Sequence, residues 1–367
     1  MSQVKKICVV YGGPSNEHEI SVKSARNIFS NLEKSKNEDE DKESNNFPNL
    51  EKYIITKVFL RKDMVFEILD TDLKLDEESF FDYLKQEKAD YVIPMLHGEY
   101  GEDGQIQKRL EETDIKYFGS DSIASHNAMN KDISNKIFEA NNILIPKTKI
   151  IHKDNYLEDI KGVFDFPIIA KPVSGGSSVG LYKFENYEDY FENISKLFIK
   201  EPEVNNENKN RESDKNKKEK NNKNKENIKE ESDKFLLQEF VSGREFTCGV
   251  IDYKGNTFAL PVTEVILKSN TIFDYNTKYT VGECKEITPA DIPIHISDAI
   301  KLLALKCHNV LGCKDISRTD IILNNTNDQL YVLETNTLPG MTETSFIPAQ
   351  LKEGGISIKD FFESKFI

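Results

Sequence analysis

Short, compact apolar runs separated by glycine and polar punctuation recur along this chain. Lys6-Ile-Cys-Val-Val-Tyr11 is almost continuously apolar, the pattern of a parallel strand buried on both faces. Gly12-Gly13-Pro14-Ser15 then turns the chain into a helix expected from near Asn16, with Ser15 as its N-cap and Ile20, Ala25, Ile28, Phe29 and Leu32 along one face. Strand, glycine turn and helix in that order are the opening of a doubly wound α/β domain, in which ligands sit at the helix N-terminus. Further strands are expected at 53–60 and 91–96 with a helix around 78–87 between them. Residues 120–142 read as one helix, which Pro146 ends, and 168–172 and 181–184 read as strands. Two strands follow around a Ser242-Gly243 turn, and the best late helix spans 297–311 with Ile300, Leu303, Ala304, Cys307 and Leu311 at helical spacing.

The most informative pattern lies between Arg318 and Ser345. Ile321 to Leu323 and Leu330 to Leu333 flank Asn324-Asn-Thr-Asn-Asp-Gln329, so they predict an antiparallel hairpin. Asp320 enters the first strand, and Glu334 and Asn336 leave the second on one face by period-2 alternation. Three hard oxygen ligands then converge, which suits Mg2+ shared with phosphate oxygens; solvated acids at a polar hairpin end fit the same pattern. Arg318, two residues before Asp320, adds a guanidinium able to neutralise charge developing at an acyl or phosphoryl group.

Other stretches carry candidate chemistry. The 91–96 strand ends in His97-Gly98-Glu99-Tyr-Gly101-Glu102-Asp103-Gly104, a glycine-rich loop at a strand end, with His97 read as orienting the loop or as a proton-transfer group. Glu17, His18 and Glu19 either complement the helix dipole or hold an ammonium group. Lys171-Pro172 precedes Ser174-Gly175-Gly176-Ser177-Ser178-Val179-Gly180, small residues whose amides can approach a phosphate, although no Walker A sequence is present. Glu239 and Glu245 stand at strand edges where a ribose or an adenine-site lysine is commonly held.

Composition narrows the class. A chain of 367 residues makes two or three domains, and a net charge of −14 argues against nucleic acid or an anionic membrane as main partner. Five scattered cysteines without a C-x-x-C pair read as reduced thiols of a cytoplasmic protein, and no apolar run reaches the roughly 20 residues a membrane helix needs. Residues 35–49 and 201–234 break the pattern. The second stretch holds ten basic residues, ten acidic residues and nine asparagines, too few apolar groups to offset its ordering entropy, so both read as solvated insertions.

Taken together the motifs resemble the D-alanine–D-alanine ligases of the ATP-grasp superfamily. The residues that carry the resemblance are Gly12-Gly-Pro-Ser-Asn-Glu-His-Glu19-Ile-Ser21, His97-Gly-x-x-Gly-Glu-Asp-Gly104, Lys171-Pro172 with 176–180, Glu239 with Glu245, Tyr275-x-x-Lys278-Tyr279, Arg318-x-Asp320 and Glu334-x-Asn336-x-x-Pro-Gly-Met-Thr342. The resemblance implies a three-domain α/β (α+β) architecture: a Rossmann-like domain at 1–119, a central ATP-grasp subdomain at 120–239 and a C-terminal subdomain at 240–367. It implies that Lys131, Lys171, Ser177, Ser178 and Lys278 meet the phosphates of ATP, that Glu239 and Glu245 meet adenine and ribose, and that Asp320, Glu334 and Asn336 bind two Mg2+ ions for which Mn2+ can substitute. Glu19 and His97 would serve the first D-alanine, and Gly340 and Ser345 the carboxylate of the second. Ser177 and Tyr279, hydrogen-bonded with Glu19, would close a loop over the site, and Arg318 would stabilise the oxyanion. Such enzymes are cytoplasmic homodimers serving peptidoglycan synthesis, with no nucleic-acid or membrane partner. Relatives carry leucine where this chain has Phe346, and the Lys278-Tyr279 pair favours D-alanine over D-lactate as second substrate.

Overall fold

The computed structural model describes residues 4–33, 52–154, 156, 160, 162–175, 181–198, 234–267 and 284–366. Ser177, Ser178, Lys278, Tyr279 and both polar insertions, the second as far as Asp233, therefore lie outside the described residues. The described strands form three sheets.

The first sheet is built on β1 (Lys5–Gly12), which pairs in parallel with β2 (Tyr53–Leu60) on one side and β5 (Tyr91–Leu96) on the other. Strand β6 (Lys116–Tyr117) adds in parallel to β5, and β3 (Phe66–Ile68) with β4 (Lys74–Leu75) extends the other edge in antiparallel fashion. The chain leaves β1 toward β2 and returns as β5 on the opposite side, which opens a crevice beyond the carboxyl ends of β1 and β5. Gly12 and Gly13 sit in that crevice at φ 99° and 93°. A Cβ on Gly12 would lie 2.3 Å from the Leu60 carbonyl oxygen, so the tight exit into α1 (His18–Glu33) requires glycine. Helix α2 (Glu77–Gln86), capped by Asp76 accepting from the Ser79 amide, and α3 (Gln105–Glu111) cover the opposite face.

The single helix expected over 120–142 is two, α4 (Ser122–Met129) and α5 (Lys131–Ala140). Asn130 breaks the run at φ −84°, ψ 105°, and its side chain accepts from the Asp132 and Ile133 amides. A residue whose side chain caps a helix competes with continuing one. The break places Lys131 at the start of α5, where its amide donates to the Val173 carbonyl.

The second sheet is wholly antiparallel, in the order β7 (Thr148–His152), β10 (Lys234–Glu239), β8 (Ile168–Pro172), β9 (Tyr182–Phe184), with α6 (Tyr187–Asn193) packed on it. The third comprises β11 (Gly243–Tyr253), β12 (Asn256–Ala259), β13 (Thr263–Leu267), β14 (Cys284–Ile287), β15 (Ile316–Asn324) and β16 (Leu330–Asn336), backed by α7 (Ile294–Leu311). Strands β10 and β11 follow one another around Ser242-Gly243 as expected, but they do not form a hairpin. Gly243 packs against β15, where a Cβ would meet the Leu323 oxygen at 2.1 Å, so the turn hands the chain from the second sheet to the third.

Two packings bind these layers. Ala128, Phe138, Ile143 and Ile145 are buried with Phe246, Val250, Ile300 and Ile321 of the third sheet and α7. The last helices, α8 (Phe346–Glu353) and α9 (Ile358–Phe366), return to the first sheet, where Ile347, Leu351, Phe361 and Phe362 share a core with Ile7, Val9, Phe29 and Ile93. Cys8, Cys248, Cys307 and Cys313 are buried free thiols, and burial pushes each upward in pKa. Among the described residues no helix is long and apolar enough to cross a membrane.

Candidate active site

The β15–β16 hairpin forms as the pattern predicts, closed by Asn324, whose side chain accepts from the Thr326 and Asn327 amides. Arg318 lies opposite Asn336 and Asp320 opposite Glu334, with a register shift just after Asp320. Alternation puts these four side chains on one face, while Thr319 and Thr335, their hydroxyls 3.0 Å apart, are buried on the other. Two carboxylates directly opposed across a ladder repel one another. Two cations offset this. Arg318 donates to both oxygens of Asp320 at 3.0 and 2.9 Å, a forked geometry that Thr247 completes at 2.6 Å, and its guanidinium lies over the Phe346 ring at 5.5 Å. Lys131 stands 3.4 Å from Glu334 and donates to the Gly175 carbonyl at 2.8 Å.

Among the described residues no three His, Cys, Asp or Glu side chains group to hold a metal. The expected set is two carboxylates and one amide, and the Asn336 Nδ2 is buried without a hydrogen-bond partner. An Nδ2 left unsatisfied is a donor and calls for an acceptor such as a phosphate oxygen, while the two carboxylates and the amide oxygen of the same hairpin end are the hard-oxygen set that suits a divalent cation shared with that phosphate.

Lys131, Gly175, Glu334, Asn336 and Glu102 line one open cleft. Lys171 is buried on β8 opposite Leu236. Glu239 ends β10, where it accepts from the Lys147 amide at 3.0 Å, and Glu245 lies on β11 between Val265 and Ile322. These last three do not line the cleft around Lys131.

The other side of the site comes from the first sheet. Ser15 donates to the His97 carbonyl at 2.6 Å and accepts from the Glu17 amide at 3.1 Å. The His97 ring bridges the Leu338 carbonyl at 2.9 Å and the Ser24 hydroxyl at 3.0 Å. Burial, with a smaller contribution from nearby Arg318, lowers its pKa to about 4, and the imidazole is neutral. Both nitrogens are occupied, which is the orienting role. Glu102 accepts from the Gly98 amide at 2.8 Å and the Leu338 amide at 3.3 Å. Burial first, and then the charge of Glu17, pushes its carboxyl up to about 8.

Glu19, expected to take an ammonium group, is exposed on α1, whereas Glu17 is buried. Glu17 sits in the turn that enters α1 and Glu19 in the first turn of the helix, so their side chains leave the backbone in different directions and only one faces the sheet. Glu17 does so: a Cβ on Gly98 would lie 3.5 Å from its carboxylate. The available signal was Ser21, four residues on, which shares the face of Glu17 and donates to the Met95 carbonyl. Gly340 and Ser345 do come together. The Ser345 hydroxyl accepts from the Thr342 amide at 3.1 Å, and a Cβ on Gly340 would crowd it at 2.9 Å.

Comparison with known proteins agrees with this geometry. The family model of the D-ala D-ala ligase N-terminus matches residues 6–120, and that of the D-ala D-ala ligase C-terminus matches 137–215 and 213–365. A D-alanine–D-alanine ligase of Leptospira interrogans is 33% identical over 381 residues, covering 97% of this chain and 96% of that protein. Another, of Phocaeicola vulgatus, is 30% identical over 369 residues and covers 99% of each. Among solved structures, the VanG D-Ala:D-Ser ligase from Enterococcus faecalis superposes with a TM-score of 0.72 at 23% identity over 99% of this chain and 98% of that one. The D-alanine–D-alanine ligase from Bacillus anthracis complexed with ATP does so at 0.67 and 24%, over 99% and 96%. At such identities the likeness speaks for the fold, an α/β ATP-grasp architecture. Both family models and the near-full-length relatives show that this chain belongs to the D-alanine–D-alanine ligase family.

Proposed function

We propose that this chain joins two molecules of D-alanine into D-alanyl-D-alanine, converting ATP to ADP and phosphate, as a cytoplasmic homodimer that supplies peptidoglycan precursors. The observation that carries the reading is the pair of buried carboxylates, Glu17 and Glu102, set beside the Arg318–Asp320–Glu334–Asn336 hairpin end. A carboxyl held largely uncharged by burial and a like-charged neighbour gains most from an arriving cation, and the ammonium of an amino acid is one.

The chemistry follows from the residues. Lys131, Lys171 and Lys278 hold the phosphates of ATP, and Glu239 and Glu245 the adenine and ribose. Asp320, Glu334 and Asn336 are the residues that would hold two Mg2+ ions, or Mn2+ in their place, which supply charge neutralisation on the phosphates. Glu17, in place of Glu19, positions the first D-alanine so that a carboxylate oxygen attacks the γ-phosphorus and ADP departs. The resulting acyl phosphate is a competent acyl donor, as a free carboxylate is not. The deprotonated amine of the second D-alanine, its carboxylate on the Gly340 amide and Ser345, attacks the carbonyl carbon; Arg318 faces the tetrahedral oxyanion, and phosphate leaves as the amide forms. Closure by Ser177 and Tyr279 keeps water from the acyl phosphate.

The test is phosphate release from ATP with Mg2+ and D-alanine, with L-alanine as control and D-serine and D-lactate as second substrates, the product identified by mass. D-alanine-dependent release with the dipeptide formed supports the reading. Release only with D-serine or D-lactate as acceptor would replace it by the corresponding mixed ligase.

A further inference from the structure

The segment between β16 and α8 has no regular structure, yet two of its residues are held at both backbone groups by side chains of the first domain. Leu338 donates its amide to Glu102 and accepts at its carbonyl from His97. Met341 donates its amide to the Ser24 hydroxyl at 3.0 Å and accepts at its carbonyl from the Asn27 amide group at 2.8 Å. All four anchors are buried, and 236 to 317 residues of chain separate them from what they hold. Gly340 lies between the two held residues, and its own amide has no hydrogen-bond partner among the described residues.

The direction of the bonds is fixed. The Met341 N–H can only donate and the Leu338 carbonyl can only accept, so the Ser24 hydroxyl donates to His97 Nε2 and His97 donates through Nδ1. Ser24 and His97 thus form one relay joining both held residues, and Asn27 secures the far end. None of the three has to touch a substrate for this.

We propose that Ser24 and Asn27 are positioning residues that set the affinity for the second amino acid, by holding the unpaired Gly340 amide where that substrate's carboxylate is received. This rests on the ligase reading above and adds to it the residues that tune one of its two amino-acid sites. Loss of either side chain removes one of the two bonds that hold Met341 and leaves ATP and the first amino acid with their own contacts.

Asn27→Asp is the sharpest variant, because it turns the donor to Met341 into an oxygen that repels the Met341 carbonyl and keeps the acceptor that Asn27 offers to Asn31. Ser24→Ala breaks the relay and Ser24→Thr keeps its hydroxyl. Initial rates over a range of D-alanine and ATP concentrations resolve the KM of each amino-acid site and of ATP. For Asn27→Asp and Ser24→Ala the second-site KM rises about 10-fold, the equivalent of one lost buried hydrogen bond. The first-site and ATP KM stay within about 2-fold, and Ser24→Thr restores the wild-type value. An active wild type with an unchanged second-site KM in Asn27→Asp, or with all three KM values raised together, overturns this inference and leaves the ligase standing. A wild type without D-alanine-dependent turnover takes down both.

Discussion

The two ends of the site are built by opposite means. At the nucleotide end, Arg318, Asp320, Glu334 and Asn336 stand on two adjacent strands, and their common face follows from period-2 alternation and one turn. At the amino-acid end, Glu17, His97, Glu102 and the 337–342 segment meet only because the first sheet and the end of the third are packed together, through bonds such as His97 to Leu338 and Asn27 to Met341. The first end is charged and ion-paired, the second buried and held together by side-chain to backbone hydrogen bonds. On the proposed function, charge is therefore handled locally, where phosphate chemistry needs it, and amino-acid recognition depends on long-range packing.

Substitutions at either end test that contrast. Arg318→Ala removes the donor proposed to face the oxyanion and leaves Asp320 without its forked partner, so kcat falls about 1,000-fold, read by phosphate release. Glu17→Gln raises the KM for the first D-alanine by about 100-fold, as expected for loss of a buried charge partner, while Glu19→Gln leaves the rates unchanged. Equal effects from both would erase the distinction drawn between the buried Glu17 and the exposed Glu19. Lys131→Ala acts on the nucleotide end alone, raising the KM for ATP about 10-fold through a lost phosphate contact, with D-alanine constants unaltered.

The smallest effect is on stability against pH. His97 has a pKa lowered from 6.5 to about 4, so its contribution is complete above pH 6.5 and is lost as the pH falls toward 4. Glu102 has a pKa raised from 4.5 to about 8, so its contribution is complete below pH 4.5 and is lost as the pH rises to 8. Between pH 6.5 and 8 Glu102 alone of these two is titrating. Thermal unfolding in that window therefore shows a Tm that falls with rising pH, and Glu102→Gln flattens the slope.

The same contrast explains what was legible in the sequence. Strands β1, β2, β5 and β8 and the hairpin could be read from apolar runs and turn residues, because each is fixed by its own local pattern. Asn130 was hidden, because a capping asparagine within an apolar helical run looks like an ordinary polar position until its side chain is seen bonding to the amides that follow. The choice of Glu17 over Glu19 needed the direction in which α1 lies on the sheet, which Ser21 alone hints at. The hand-over at Gly243 and the four anchors of the 337–342 segment were beyond reach, since each joins residues whose separation in the chain carries no periodic signal.

In the proposed reaction the site activates a carboxylate by phosphorylation before an amine attacks it. D-alanine labelled with 18O at both carboxylate oxygens, turned over with ATP and Mg2+, tests it directly. One 18O then appears in the inorganic phosphate for every dipeptide formed, with the other retained in the amide carbonyl. Phosphate free of 18O while the dipeptide accumulates would contradict it.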